Sequence, residues 1–319
     1  MKRVILGMFV AIMGMATGYA QQIAVVTGSS TRTYQTLKQA IEGASNGSVI
    51  YLPGGGFQIG DTVKITKRVT IMGIGHKPQS ENADGNTVIS GNLFFNEGSS
   101  NSAVLGCYIS GNVIIGEGGS SVNNILVKYC NLNAMDVRNN TCTGIVINQN
   151  YIRNTSVFNN SNVTIKNNVL HSVGRIHGGI ISNNILTSFR YEPSGADVAL
   201  RNVENSTISY NIILDSRIHT GSNCTVYGNM ARSNFGDDCV ACAADANDLF
   251  QKYLGITPAS IFAFQEQFEA NSNIGIYGGT GFSDGALPPV PYVVEKMIPE
   301  QTDASGKLNI RLKVKASEE

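Results

Sequence analysis

Two tripeptides carry an arginine and a histidine two residues apart, Arg175-Ile176-His177 and Arg217-Ile218-His219. On an extended strand that spacing points both side chains to one face. A guanidinium docks carboxylates and sulfates through paired N–H donors. An imidazole titrates near neutrality and can take a proton. The pair therefore suits an acidic substrate whose charge is neutralised while a neighbouring proton is removed. Arg175, His177, Arg217 and His219 are the catalytic candidates. Arg138, Arg201 and Arg190 offer further anion contacts, and Phe158, Phe189 and Tyr191 offer flat rings for sugar faces. These six are the substrate-binding candidates.

Such side chains act together only if the backbone repeats, and it does. Two or three β-branched residues, a polar pair, an anchor and an apolar residue recur along the chain, as in Val104 to Ile109, Val127 to Leu132 and Ile147 to Ile152. The pattern returns at Ile165 to Leu170, Ile181 to Leu186, Ile208 to Ile213 and, weakly, Val226 to Ala231. Its anchors are Cys107, Cys130, Asn150, Asn168, Asn184, Asn211 and Asn229, spaced by 23, 20, 18, 16, 27 and 18 residues. Self-similarity on this scale is the mark of a solenoid. Period-two alternation rich in Val, Ile and Thr excludes helical repeats. Coils of about 20 residues with Asn at a corner predict a parallel β-helix, the Asn tolerating a left-handed backbone. A second strand in each coil is read around the inward residues Val113, Val137, Val157, Ile176, Leu200 and Ile218. Their flanks then point outward. One flank reads Ile114, Arg138, Phe158, His177, Arg201 and His219, the other Asn112, Asp136, Ser156, Arg175, Ala199 and Arg217. At about 4.8 Å per coil, Arg138 and His219 lie roughly 19 Å apart. An insertion of about nine residues after Asn184 contains Phe189, Arg190 and Tyr191.

An open solenoid end must be capped. The amphipathic stretch Thr33 to Ala44 is the expected N-terminal cap helix. Asp245 to Leu254 and Pro258 to Phe268 read as C-terminal helices, and Leu308, Ile310, Leu312 and Val314 as a half-buried strand packed along the solenoid. The stretch Tyr34 to Gly75, a helix followed by GSVIYLPGGGFQI and KRVTIMGIG, resembles the opening of pectate-lyase-like right-handed parallel β-helix proteins. The coils extend the likeness to about Asn234, and the ending, IGIYGG followed by LPPVPYVVEKMIPEQTDASGKLNIRLKVKA, is similar to secreted β-helix proteins of Bacteroidota. The expected fold is all-β: one right-handed parallel β-helix domain over 21–319, with cap and first strands at 33–75, core coils at 103–234 and a helical and extended C-terminal cap at 235–319.

The resemblance implies a superfamily of lyases, hydrolases, esterases, epimerases and non-catalytic surface proteins. Polygalacturonases of this fold need Asn-Thr-Asp, Asp-Asp, Gly-His-Gly and Arg-Ile-Lys in chain order. Here only Arg175-Ile176-His177 and Arg217-Ile218-His219 approach the last, and Asp237-Asp238 follows both. Calcium-dependent lyases cluster acidic residues around Ca²⁺, whereas the exposed repeat positions offer Asp136 and little else. No cofactor is expected; Ca²⁺ stays open as an alternative, without an acidic cluster to support it. A lyase is favoured over a hydrolase, and whether the chain is an enzyme stays open. The expected function is binding, and processing of lyase type, of an acidic polysaccharide or cell-surface glycan. The competing reading is a structural or surface-interaction protein whose Arg residues pair with Asp136, Asp215 and Glu204.

Composition agrees with stacked neutral coils. Charged residues are 14% of 319, the net charge is zero, and 24 of the 33 Asn fall between Asn101 and Asn234. A neutral chain lacks the basic surface that nucleic-acid binding needs. Lys2 and Arg3 precede an apolar run, Val4 to Ala16, too short to span a bilayer but suited to a signal peptide cleaved after Ala20. The mature chain then holds 21 basic against 23 acidic residues and no transmembrane helix. It is read as an exported monomer, in the periplasm, on the cell surface or in the medium. Cys107 and Cys130 share a corner on adjacent coils, close enough for a disulfide or for two buried thiols.

Overall fold

The computed structural model describes residues 22–60, 63–76, 85–154, 156–159, 162–187, 199–213, 218–231, 273–282, 288, 291–299, 301–303 and 305–316. Ile218 and His219 are described in their backbone alone. The expected C-terminal helices over 245–254 and 258–268, and the leader at 1–20, lie outside the described residues.

Parallel strands stack into three sheets. The first has eleven strands and starts with the antiparallel pair Ile23–Thr27 and Ser30–Tyr34. Nine parallel strands follow, from Ser48–Tyr51 to Thr225–Tyr227. The second sheet runs from Gly55–Gln58 to Met230–Ala231 in nine strands, the third from Lys64–Ile65 to Ile218–Thr220 in eight. The chain is thus a parallel β-helix of eight complete coils and two strands of a ninth among the described residues. Each coil carries three strands where the sequence suggested two. In the seven coils that have an anchor, it sits between a first strand of three or four residues and a second of two.

Inward residues stack like with like. In the first sheet Ile50, Ile71, Val104, Val127, Ile147, Ile165, Ile181 and Ile208 form one column, every member fully buried. β-branched side chains suit this pleated interior, and every coil buries apolar area worth about 25 cal/mol per Å².

The N-terminal helix is Leu37–Gly43, capped by the Thr36 hydroxyl accepting from the Gln39 amide. It is shorter than expected. Thr33 and Tyr34 belong to an exposed strand paired with Ile23–Thr27. Leu37, Ala40 and Ile41 are buried and close the first coil.

At the other end, residues 273–282 lie across the outside of the second sheet. Ile274, Ile276 and Phe282 cover an outward column, Tyr151, Val169, Ile185, Ile212 and Met230, forming a second core. Asn167 fastens this strap by donating to the Ile276 and Gly278 carbonyls at 2.9 and 2.7 Å. The tail departs from expectation. Arg311–Ala316 pairs antiparallel with Pro291–Met297, and Leu308, Ile310, Leu312 and Val314 remain 45 to 55% exposed instead of packing on the solenoid. No described helix is long and apolar enough to cross a membrane.

Candidate functional site

A ladder of asparagines fixes the coils that present the site. All seven anchors stand in register, and Asn150, Asn168, Asn184, Asn211 and Asn229 have no exposure. Each Oδ1 accepts the backbone N–H of the anchor one coil before, at 2.8 to 2.9 Å from Asn150 onward to Asn229. Each Nδ2 donates to a carbonyl of the preceding coil, as Asn184 does to Ile165 at 2.8 Å. The left-handed residue is the one before the anchor, not the anchor itself: Gly106, Tyr129, Gln149, Asn167, Asn183, Tyr210 and Gly228 all have positive φ. The anchor's amide, not its tolerance of that backbone, is what the corner uses.

The candidate site lies where the third-sheet strands end and the next turn begins. A groove of about 500 Å³ there spans the third to the seventh coil. Gly119 opens it, Arg138, Asn139 and Asn140 follow, then Asn159, then Arg175 and Ile176, then Asn202 and Glu204. Five coils at about 4.8 Å make it roughly 19 Å long.

Arg138 and Arg175 both line this groove, but in different electrostatic states. Arg138 donates from Nε to Asp136 Oδ2 and from Nη1 to Glu117 Oε1, both at 2.7 Å. The Asp136 hydrogen bond raises the Arg138 pKa further above its ordinary value. Lys64 Nζ also lies 3.6 Å from Glu117. This cluster matches the structural alternative drawn from the sequence. Arg175, in contrast, has one weak polar contact among the described residues, Nη1 to Asn159 Oδ1 at 3.4 Å, and no ion pair.

The backbone at Arg175 is also unusual. Its φ is +59°, and it is the one charged residue among the non-glycine positive-φ residues described. The strand Val173–His177 there fits one extra residue between inward Val173 and Ile176. Its neighbour repeats the irregularity at Asn202, φ +52°, between Leu200 and Val203. Asn adopts this conformation readily, whereas Arg pays roughly 1 kcal/mol for it. Local strain retained beside a groove is a pointer to function.

His177 faces Glu204 across the strand pair, with Nδ1 3.5 Å from Glu204 Oε2, and its ring nitrogens lie 3.1 and 3.3 Å from Asn205 Nδ2. Both are about half exposed; Glu204 lines the groove's end, and His177 stands behind it, not itself among the lining residues. Gly221 leaves space for Glu204, since a Cβ there would collide with its side chain.

The row expected from the sequence is broken. Phe158 is fully buried in the main core, so it cannot stack on a sugar. The cause is a register shift. Ser156 and Phe158 point inward, and Val157 takes the outward position. The observed outward column reads Ile114, Asp136, Val157, Gly174 and Arg201. Arg201 is exposed on it beside Gly174 and outside the groove lining, and His219 is its backbone neighbour. Arg217, Phe189, Arg190 and Tyr191 lie outside the described residues. The sequence reading missed Asn139, Asn140, Asn159 and Asn202 as site residues, and treated Glu204 as an ion-pair partner alone. The signal was Asn just after the third strand in two successive coils, Asn139 and Asn140 and then Asn159; Asn202 lies within its strand and left no such mark.

Cys107 and Cys130 are free thiols. Cys130 Sγ donates to the Lys128 carbonyl at 3.2 Å, and burial pushes its pKa up to about 12. Among the described residues no cluster of three His, Cys, Asp or Glu side chains is placed to hold a metal. Comparison of the chain with models of protein families, with curated proteins and with solved structures gave no match.

Proposed function

We propose that this chain is an exported member of the pectate-lyase-like group of right-handed parallel β-helix proteins, and that its groove binds a carbohydrate chain bearing an acidic group. The carrying observation is Arg175, a charged side chain held in left-handed backbone, without a carboxylate partner among the described residues, inside a polar groove. A guanidinium so placed offers paired donors to a carboxylate or sulfate. The surrounding Asn amides both donate and accept, as sugar hydroxyls require. Three stacked sheets, the N-terminal helix and the corner asparagines support the group assignment. The basic start and apolar run support export. N-terminal sequencing of the secreted protein should begin at Gln21; a retained Met1 would contradict export.

Lyase chemistry would draw on the groove's Arg175 and on His177, which reaches the groove's end through Glu204. Arg175 would neutralise a uronate, and His177, oriented by Glu204, would take the C5 proton. The released electron pair would form the C4–C5 double bond and expel the glycosidic oxygen at C4, which leaves protonated by solvent. Affinity electrophoresis against pectate, alginate, chondroitin and mixed heteroglycans tests binding, and ultraviolet absorbance of an unsaturated uronate tests cleavage. Retardation by at least one acidic glycan, lost in Arg175→Asn, is expected. No retardation by any would overturn the binding reading, and binding without absorbance would remove the lyase step.

A further inference from the structure

Resting on the carbohydrate-binding reading, the charge map of the groove narrows its ligand. We infer that it takes a heteroglycan with isolated acidic residues, one anion among several uncharged sugars, and not a chain charged at every sugar. Among the described residues the groove holds one uncompensated cation. Arg138 is held by two carboxylates at 2.7 Å, and with Lys64 beside Glu117 that cluster of two cations and two anions sums to zero. Arg175 two coils on carries its charge free of any ion pair among the described residues. One coil further, Glu204 places a carboxylate on the wall. Between the charges the lining is Asn amide.

A chain laid along the axis meets about one coil per sugar, because the coil spacing of roughly 4.8 Å is close to one ring. A polyuronate would set one carboxylate on Arg175, others beside the Arg138 cluster, whose zero sum offers no net attraction, and another beside the Glu204 carboxylate. Like charges at that range repel, and partial shielding from water inside a groove strengthens the repulsion. The sequence suggested a cation on nearly every coil. Instead the outward column runs through Asp136, Val157 and Gly174 before reaching Arg201. An Asn wall is matched to hydroxyl and acetamido groups, which also donate and accept. One anion at Arg175 with neutral sugars on either side places no second carboxylate against Glu204.

The test uses the mature full-length protein and three oligosaccharide sets in calorimetric titration. Deacylated gellan fragments carry one glucuronate per four sugars, oligogalacturonates carry one per sugar, and carboxyl-reduced gellan carries none. Gellan fragments should bind at least tenfold tighter than either other set. Arg175→Asn should lower gellan affinity to that of the carboxyl-reduced form. Raising salt from 50 to 500 mM should weaken gellan binding by about tenfold or less, as for one ion pair. Equal or tighter binding of oligogalacturonate, or a salt effect beyond a hundredfold, would overturn the isolated-anion inference and leave glycan binding standing. Equal binding of reduced and native gellan would overturn the anion contact. No binding of any set would overturn the carbohydrate reading and this inference with it.

Discussion

Replacing Asn184 by Ala removes the centre of the asparagine ladder. Its Oδ1 accepts from Asn168 N at 2.9 Å and Asn168 Nδ2 at 3.0 Å. Its Nδ2 donates to Ile165 O at 2.8 Å, Ser182 O at 3.0 Å and Asn211 Oδ1 at 2.9 Å. Some partners keep a second bond. Asn168 Nδ2 still reaches the Ile147 and Lys166 carbonyls, and Asn211 Oδ1 still accepts from the Asn184 amide. The Asn168 amide does not, and it is fully buried. Orphaning such a donor costs roughly 1–3 kcal/mol, and each further lost bond about 1 kcal/mol or less. The expected loss is about 4 kcal/mol. Asn184→Asp keeps Oδ1 but turns a carboxylate toward three oxygens, so its folded pKa rises above the unfolded value of about 3.9. The folded state then binds more protons between the two values. Stability falls as pH rises through that window and returns as pH falls. Urea unfolding followed by far-ultraviolet circular dichroism measures the loss. Because solenoids can unfold in parts, hydrogen exchange of the Asn168 amide gives a local readout. A loss under about 1 kcal/mol with the Asn168 amide still protected would refute the ladder as a source of stability.

Three further outcomes follow from the geometry. Phe158→Ala should cost about 3–5 kcal/mol by emptying a core position while leaving glycan affinity unchanged; lost affinity in a folded protein would return Phe158 to the groove. Arg175→Asn should raise stability by about 0.5–1 kcal/mol, since Asn suits the left-handed backbone better, and should raise the melting temperature by roughly 2 °C; a lower melting temperature would show that Arg175 stabilises the fold. The Cys130 thiol, pushed up to about 12 by burial, ionises in the unfolded chain near its ordinary value of about 8.5. The folded state thus binds more protons above that pH, and stability should fall from about pH 9 upward. Native alkylation at pH 8 should leave Cys107 and Cys130 unmodified, and a mapped Cys107–Cys130 bridge would contradict their thiol state.

The anchor column could be read from the sequence because one chemical requirement recurs there: a corner amide that both donates and accepts between coils. The third-sheet register could not. Ser156 occupies an inward position, its hydroxyl accepting the Met135 amide at 3.1 Å, whereas apolar alternation alone points to Val157 as the inward residue. The inserted left-handed residues Arg175 and Asn202 then stretch the inward spacing from two to three. That slip put Phe158 outside and hid the Asn wall. The strap was hidden for another reason. The apolar residue after each anchor points outward, as Val169, Ile185 and Ile212 do, and needs a cover. Its cover, Ile274, Ile276 and Phe282, lies in a Gly-rich stretch that reads as a linker.

The central claim is that the groove holds an acidic sugar at Arg175. A crystal of the protein grown or soaked with gellan-derived oligosaccharides tests it most directly. The account predicts sugar density along the groove from Gly119 to Glu204, with the glucuronate carboxylate within about 3 Å of the Arg175 guanidinium. Sugar bound on another face, or in the groove with its carboxylate away from Arg175, would contradict it.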